Sequence, residues 1–229
     1  GDQLRRKGRQ WRSLEDTAVA NHLLRAPSNF WSDLRRDQDF YSEGSLLWWE
    51  VDVTIRKLSG GKRTLDDFCR KFMGPIGKDA KVVPYDLPEI VAILKELADH
   101  DWEKFFARRV TAPMDAFPLD VVSEAGYRVG YGKTPSGMQE FYDGGNVNAR
   151  DSLGLTFNDQ GNVTGYVLDS LGDRKGLHQD VLVIGVNGKR FSRAALTKAL
   201  EDSVETKKVE LLIQRGDDLS TVFLPYDGG

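Results

Sequence analysis

Along the first half of the chain, apolar residues recur every three or four positions, the spacing of helices that bury one stripe. S-L-E-D at Ser13–Asp16 has the form of a capping box and leads into Leu14, Ala18 and His22 or Leu23 in line. Ala26-Pro27 closes that segment, because proline cannot continue a helix. A central helix is predicted from near Asp39 to Leu58, with Leu47, Val51, Ile55 and Leu58 as its stripe and Gly60-Gly61 as its stop. T-L-D-D at Thr64–Asp67 starts a shorter helix that Gly74-Pro75 ends. Pro88 suits the first turn of another, with Ile90, Leu94 and Leu97 facing inward. Asp101–Arg109 adds a last amphipathic turn or two.

Beyond Pro113 and Pro118 the period changes. Short runs of strand length alternate with Gly, Asn and Asp turns: Tyr127–Tyr131, Leu153–Phe157, Val163–Leu168, Val181–Val186, Val209–Gln214 and Thr221–Leu224. Asn187-Gly188 and Arg215–Asp218 read as tight hairpin turns. One helix interrupts them, capped by Ser192, with Leu196, Ala199 and Leu200 inward. Gly132–Arg150 is rich in Gly, Ser and Asn and reads as a mobile loop. The pattern predicts an α+β chain with a helical domain over residues 1–120 and a β-rich domain over 121–229.

Composition narrows the function classes. A net charge of −3 over 229 residues gives no bulk field for nucleic acid or an anionic membrane. Arg5, Arg6, Lys7, Arg9 and Arg12 make only a local basic start. No apolar run approaches the roughly 18 residues of a membrane span. The single cysteine, Cys69, excludes an internal disulfide, and its neighbours Phe68 and Phe72 suggest a buried structural thiol. His22, His100 and His178 lie far apart, and none has a partner at helical spacing, so no metal set is predicted here. Nothing in the chain sets a compartment.

An ordered series of motifs over about residues 124–226 resembles a PDZ domain. S-L-G-L-T-F (Ser152–Phe157) is similar to the carboxylate-binding loop and the strand after it. L-G-D-R-K-G-L (Leu171–Leu177), D-V-L-V-I-G-V-N-G (Asp180–Gly188) and the helix from Ser192 to Asp202 follow in the order of that fold. The resemblance implies a β-sandwich or barrel that binds peptides. Backbone N–H groups around Leu153, Gly154 and Leu155 would converge on a terminal carboxylate. The peptide would add as a strand beside Leu155–Phe157, opposite the helix from Ser192. Leu153, Gly154, Leu155 and Phe157 are therefore the candidate peptide-binding residues. A groove filled by the protein itself is the alternative.

Residues 9–110 resemble the segment after the metal site in zinc aminopeptidases of the glycyl aminopeptidase family, a gluzincin-type catalytic domain that also carries a PDZ domain. The matching stretches are R-Q-W-R-S-L-E-D-T-A (Arg9–Ala18), D-F-Y-S-E-G (Asp39–Gly44), S-G-G-K-R-T-L-D-D-F (Ser59–Phe68) and H-D-W-E-K-F-F (His100–Phe106). The resemblance implies that Tyr41 is catalytic, donating its hydroxyl to the oxyanion that develops when zinc-bound water attacks the scissile carbonyl. Glu43 reads as a first-turn carboxylate that favours the helix dipole. Trp48 and Trp49 cannot both face one core. The chain has no H-E-x-x-H, so zinc and its ligands are expected upstream of residue 1 in a parent protein, and Gly1 before a polar stretch fits such a piece. The parent is expected to take peptides with small amino-terminal residues such as glycine, and this chain alone is expected to be inactive. A non-catalytic, PDZ-bearing scaffold is the alternative.

Overall fold

The computed structural model describes residues 6–24, 35–36, 38–74, 82–132 and 136–228. Ala26-Pro27 and Pro75, predicted to end two helices, lie outside them. The chain is α+β, with ten helices and two antiparallel sheets among the described residues. It divides into two units, Gly1–Gly130 and Tyr131–Gly229.

The first unit is helical: α1 (Leu14–Val19), α2 (Asn21–Leu24), α3 (Asp39–Leu58), α4 (Leu65–Met73), α5 (Leu87–Leu97), α6 (Trp102–Phe106) and α7 (Asp120–Glu124). Ser13 caps α1 by accepting from the Asp16 N–H at 3.1 Å. The segment predicted as one helix is broken at Ala20, and its inward residues are Leu14 and Thr17 rather than Ala18 or Leu23. Thr17 satisfies its buried hydroxyl on the Leu14 carbonyl at 2.7 Å. A full capping box starts α4, with Thr64 and Asp67 each holding the other's backbone N–H.

The core of this unit joins Leu47, Val51 and Ile55 of α3 to Phe68, Val91, Leu94, Trp102, Phe105 and Phe106. Trp48 joins it, its ring 5.1 Å from that of Phe68. Trp102 is fully buried and donates its indole N–H to the Ala98 carbonyl. Cys69 is exposed, contrary to the sequence expectation. With Phe68 turned inward, the next residue points about 100° away around the helix. Leu58 is exposed for a related reason, since it lies at the end of α3 beyond the packed stripe. Helix α7 contacts α3, which carries the first unit past the change of period near residue 120.

In the second unit the elements are α8 (Gly137–Asp143), β1 (Val147–Ala149), β2 (Leu155–Phe157), β3 (Val163–Tyr166), α9 (Leu171–Arg174), β4 (Leu182–Val186), β5 (Lys189–Arg190), α10 (Arg193–Thr206), β6 (Val209–Arg215) and β7 (Asp218–Leu224). The sheets run β1-β2-β3 and β5-β4-β6-β7. Side chains of both sheets and of α10 form one core, including Leu155, Phe157, Val183, Leu196, Ala199 and Leu211. Asn187 and Gly188 take φ values of 46° and 73°, the left-handed pair that a two-residue hairpin turn requires. Two expectations are corrected. Tyr127–Tyr131 forms no strand, and its apolar side chains stand exposed. The stretch predicted as a loop, Gly132–Arg150, instead holds α8 and β1. No helix among the described residues is long and apolar enough to cross a membrane.

Leu94 has no exposed surface. Leu94→Ala should therefore lower the stability of the first unit by about 2–5 kcal/mol, through lost burial and the cavity left behind. Urea unfolding followed by tryptophan fluorescence checks this.

Candidate functional site

Tyr41 sits in the first turn of α3, and the rest of that turn explains its orientation. Asp39, Glu43, Leu47 and Glu50 recur on one side of the helix, continuous with Val51 and Ile55. The inward face of α3 therefore begins with carboxylates, and all three are buried. Buried carboxylates are tolerated only when paired and hydrogen-bonded.

Arginines from three separate segments supply the pairing. Arg36 donates from Nε to Asp39 Oδ2 at 2.7 Å, from Nη2 to Glu43 Oε1 at 2.7 Å, and from Nη1 to the Arg12 carbonyl at 2.7 Å. Arg9, on the 3₁₀ turn Lys7–Gln10, reaches Glu43 Oε1 at 3.0 Å. Arg6 pairs with Asp39. Farther along α3, Glu50 accepts from Arg109 Nε at 2.7 Å and from Arg108 Nη2 at 3.1 Å. Phe117 links the two groups, with the guanidiniums of Arg9 and Arg109 over its ring at 5.5 and 5.2 Å. Burial lowers the pKa of Arg9 and of Arg36, and Glu43 opposes that shift at both.

Tyr41 lies about 200° around the helix from Asp39, on the opposite side. Its residue surface is 68% exposed, and its ring lies 4.6 Å from that of Phe40. Its backbone is fixed, with the carbonyl accepting from Ser45 Oγ at 2.9 Å. The result is a phenol held at its base and open at its tip, which can offer one O–H to a group arriving from solvent.

The network shows what the sequence reading missed. Glu43 is an interior acceptor for two arginines, not an open first-turn carboxylate. Arg9 and Arg36 are buried charge partners, so the basic start is no surface patch at Arg9. The available signal was Asp39, Glu43 and Glu50 falling on the apolar face of α3, where an unpaired charge could not remain.

The histidines are scattered. His100 packs edge-on to Trp102 at 4.8 Å, and the His178 ring lies tilted 4.4 Å from that of Tyr166 while bonding Asp173 Oδ1 at 2.9 Å. Among the described residues, no three His, Cys, Asp or Glu side chains are placed to hold a metal ion.

The peptide-binding candidates fall together in the second unit. Leu153, Leu155 and Phe157 are fully buried in its core. Gly154 has φ of 74°, and a side chain there would collide with Ser170. The loop N–H groups point at one acceptor, the carbonyl oxygen of Ala149. Leu153 N–H reaches it at 2.9 Å, Gly154 N–H at 3.0 Å and Ser152 N–H at 3.3 Å. Ser152 Oγ adds a fourth donor at 3.2 Å. Neither Ala149 nor the strand around it was a sequence candidate, because three residues after Gly144-Gly145-Asn146 are too few to show a period.

Glu43→Gln keeps the shape of the side chain and removes its charge, leaving Arg9 and Arg36 short of a partner. It should destabilise the first unit by about 3–5 kcal/mol in denaturant unfolding. Glu103→Gln, which breaks an exposed pair with Lys95, should be close to neutral.

No family model and no curated protein matches the chain. Among solved structures, an aminopeptidase N family protein from Idiomarina loihiensis matches with a TM-score of 0.57 and 14% identity. The match covers 96% of this chain and 39% of that one, so this chain spans about two fifths of that structure's length. At this identity the likeness is one of fold: the chain is built like part of an aminopeptidase N family protein.

Proposed function

We propose that this chain is part of a zinc-dependent aminopeptidase whose full-length form removes small amino-terminal residues, glycine among them, from peptides. In this reading the first unit belongs to a gluzincin-type catalytic domain, and the second is PDZ-like. Tyr41 is the residue that touches the reacting atoms. Its hydroxyl donates to the oxygen of the scissile carbonyl as negative charge develops there.

One observation carries the reading. Tyr41 is exposed on a helical turn whose opposite face is tied down by three arginines. An oxyanion donor must be preorganised, so that no reorganisation is needed as the charge forms. A tyrosine kept only for packing would bury its ring. The fold likeness to an aminopeptidase N family protein is further support. The residues of this chain do not fit a zinc site among those described. In this reading the zinc would be held by residues of the full-length protein other than those described here, and would supply the attacking water.

Tyr41→Phe in the full-length protein tests the assignment. Its hydroxyl has no hydrogen-bond partner among the described residues, so folding should be unchanged. Turnover should fall by about 10²–10³ with little change in the Michaelis constant, the pattern of a lost transition-state contact. Near-normal turnover would remove Tyr41 from the mechanism.

A further inference from the structure

A sheet edge presents unpaired backbone N–H and C=O groups, and chains guard it with short strands, charges, prolines or bulges. Three edge strands of the second unit carry such guards. β5 is two residues long, and both of them, Lys189 and Arg190, are charged and exposed. β1 is three residues long, and the pairing of β3 is broken by a register shift between Thr156 and Phe157. β7 has none of these. It runs for seven residues, Asp218–Leu224, at one end of the order β5-β4-β6-β7. Its ladder with β6 keeps register from Val209–Leu224 to Arg215–Asp218 without a shift. It contains no proline, lysine or arginine. Among the described residues no strand pairs with its outer edge.

The face beside that edge is apolar. Val222 and Leu224 pack against the core, so Leu219, Thr221 and Phe223 turn the other way. Leu219 is 62% and Phe223 49% exposed, and Leu212, opposite Thr221 on β6, is exposed as well. Charge is divided between the two ends. Asp217 and Asp218 stand exposed where the strand begins. Where it finishes, Lys208 sets its ammonium over the Phe223 ring at 5.2 Å, and Lys207 is exposed next to it. Other charges near the ends are turned away or set back. Arg215 is held by Asp180 and the Gly176 carbonyl, and Glu210 lies on β6, one strand in from the edge.

We propose that the outer edge of β7 docks a second copy of this chain, the two β7 strands lying antiparallel about a two-fold axis at Thr221. In that register Leu219 lies opposite the partner's Phe223, twice over, and Thr221 lies opposite the partner's Thr221. Aliphatic–aromatic and Thr–Thr pairs of this kind stabilise antiparallel sheets. The acidic start of each strand meets the basic finish of the other, whereas a parallel pairing would set like charges together. One self-complementary patch serves both copies, and two four-stranded sheets become one continuous sheet. The contact is a single strand pair, small for an interface, so its dissociation constant should be on the order of 10–100 μM. The inference does not depend on the peptidase reading, and activity plays no part in its test.

Sedimentation of the 229-residue chain from about 1 μM to about 1 mM should show a reversible dimer. Thr221→Lys sets two ammonium groups opposite each other on the axis and should weaken the dimer at least about tenfold. Thr221 is exposed, and unmoved amide resonances of the buried Val183 and Leu211 show that the fold is kept. Asp217→Lys and Lys208→Glu should each weaken it by about tenfold when alone. An equal mixture of these two variants should recover to within about threefold, because opposite charges then meet at both ends. In hydrogen exchange, alternate β7 amides should gain protection as the concentration rises.

A chain that stays monomeric to about 1 mM overturns the proposal. So does a dimer indifferent to Thr221→Lys, or a mixture of the two charge variants that fails to recover. A monomer whose β7 amides are all protected has that edge covered by another part of the protein, which is equally fatal.

Discussion

The first unit depends on the burial of three carboxylates along α3. Once Asp39, Glu43 and Glu50 turn inward with Leu47 and Val51, each needs a cation, because an unpaired charge in the interior is not sustainable. The chain meets that demand from far-apart segments, and its irregular backbone falls where the arginines are delivered. Arg36 takes the left-handed conformation, with φ of 54°, three residues before α3 begins. Arg109 lies on a π-helical turn, Ala107–Thr111, that follows α6. Arg9 comes from a 3₁₀ turn whose carbonyl also accepts from the Met114 N–H. Replacing such a cluster with apolar residues could match its stability, so its value lies in fixing one geometry. Here the geometry fixed is the first turn of α3, and with it the outward aim of Tyr41.

The second unit solves its corresponding problem with backbone. Leu153, Leu155 and Phe157 commit their side chains to the core, so the polar groups this stretch has to place are those of its backbone. Gly154 makes the required turn, and no side chain could replace its hydrogen beside Ser170.

The sequence made the periodic elements legible. The helices begun by Thr64, Pro88 and Ser192 and the hairpin at Asn187-Gly188 follow from residue types whose local physics leaves little choice. Tyr41 could be placed on a helical turn, but its exposure could not be read, because it depends on which face the arginines hold. That pairing joins residues as distant as Glu50 and Arg109, and no local pattern reports it. Strand β1 was hidden for a different reason. It is too short to show alternation, and it exists because β2 offers it an edge.

The central claim is that the arginine-clamped helix presents Tyr41 to a reacting carbonyl. A structure of the full-length protein with a tetrahedral transition-state analogue tests it most directly. The account predicts the Tyr41 hydroxyl about 2.7–3.1 Å from the analogue's oxyanion oxygen, with the Arg36–Glu43 contact unbroken. A phenol turned away from the analogue, with another donor on that oxygen, would contradict it.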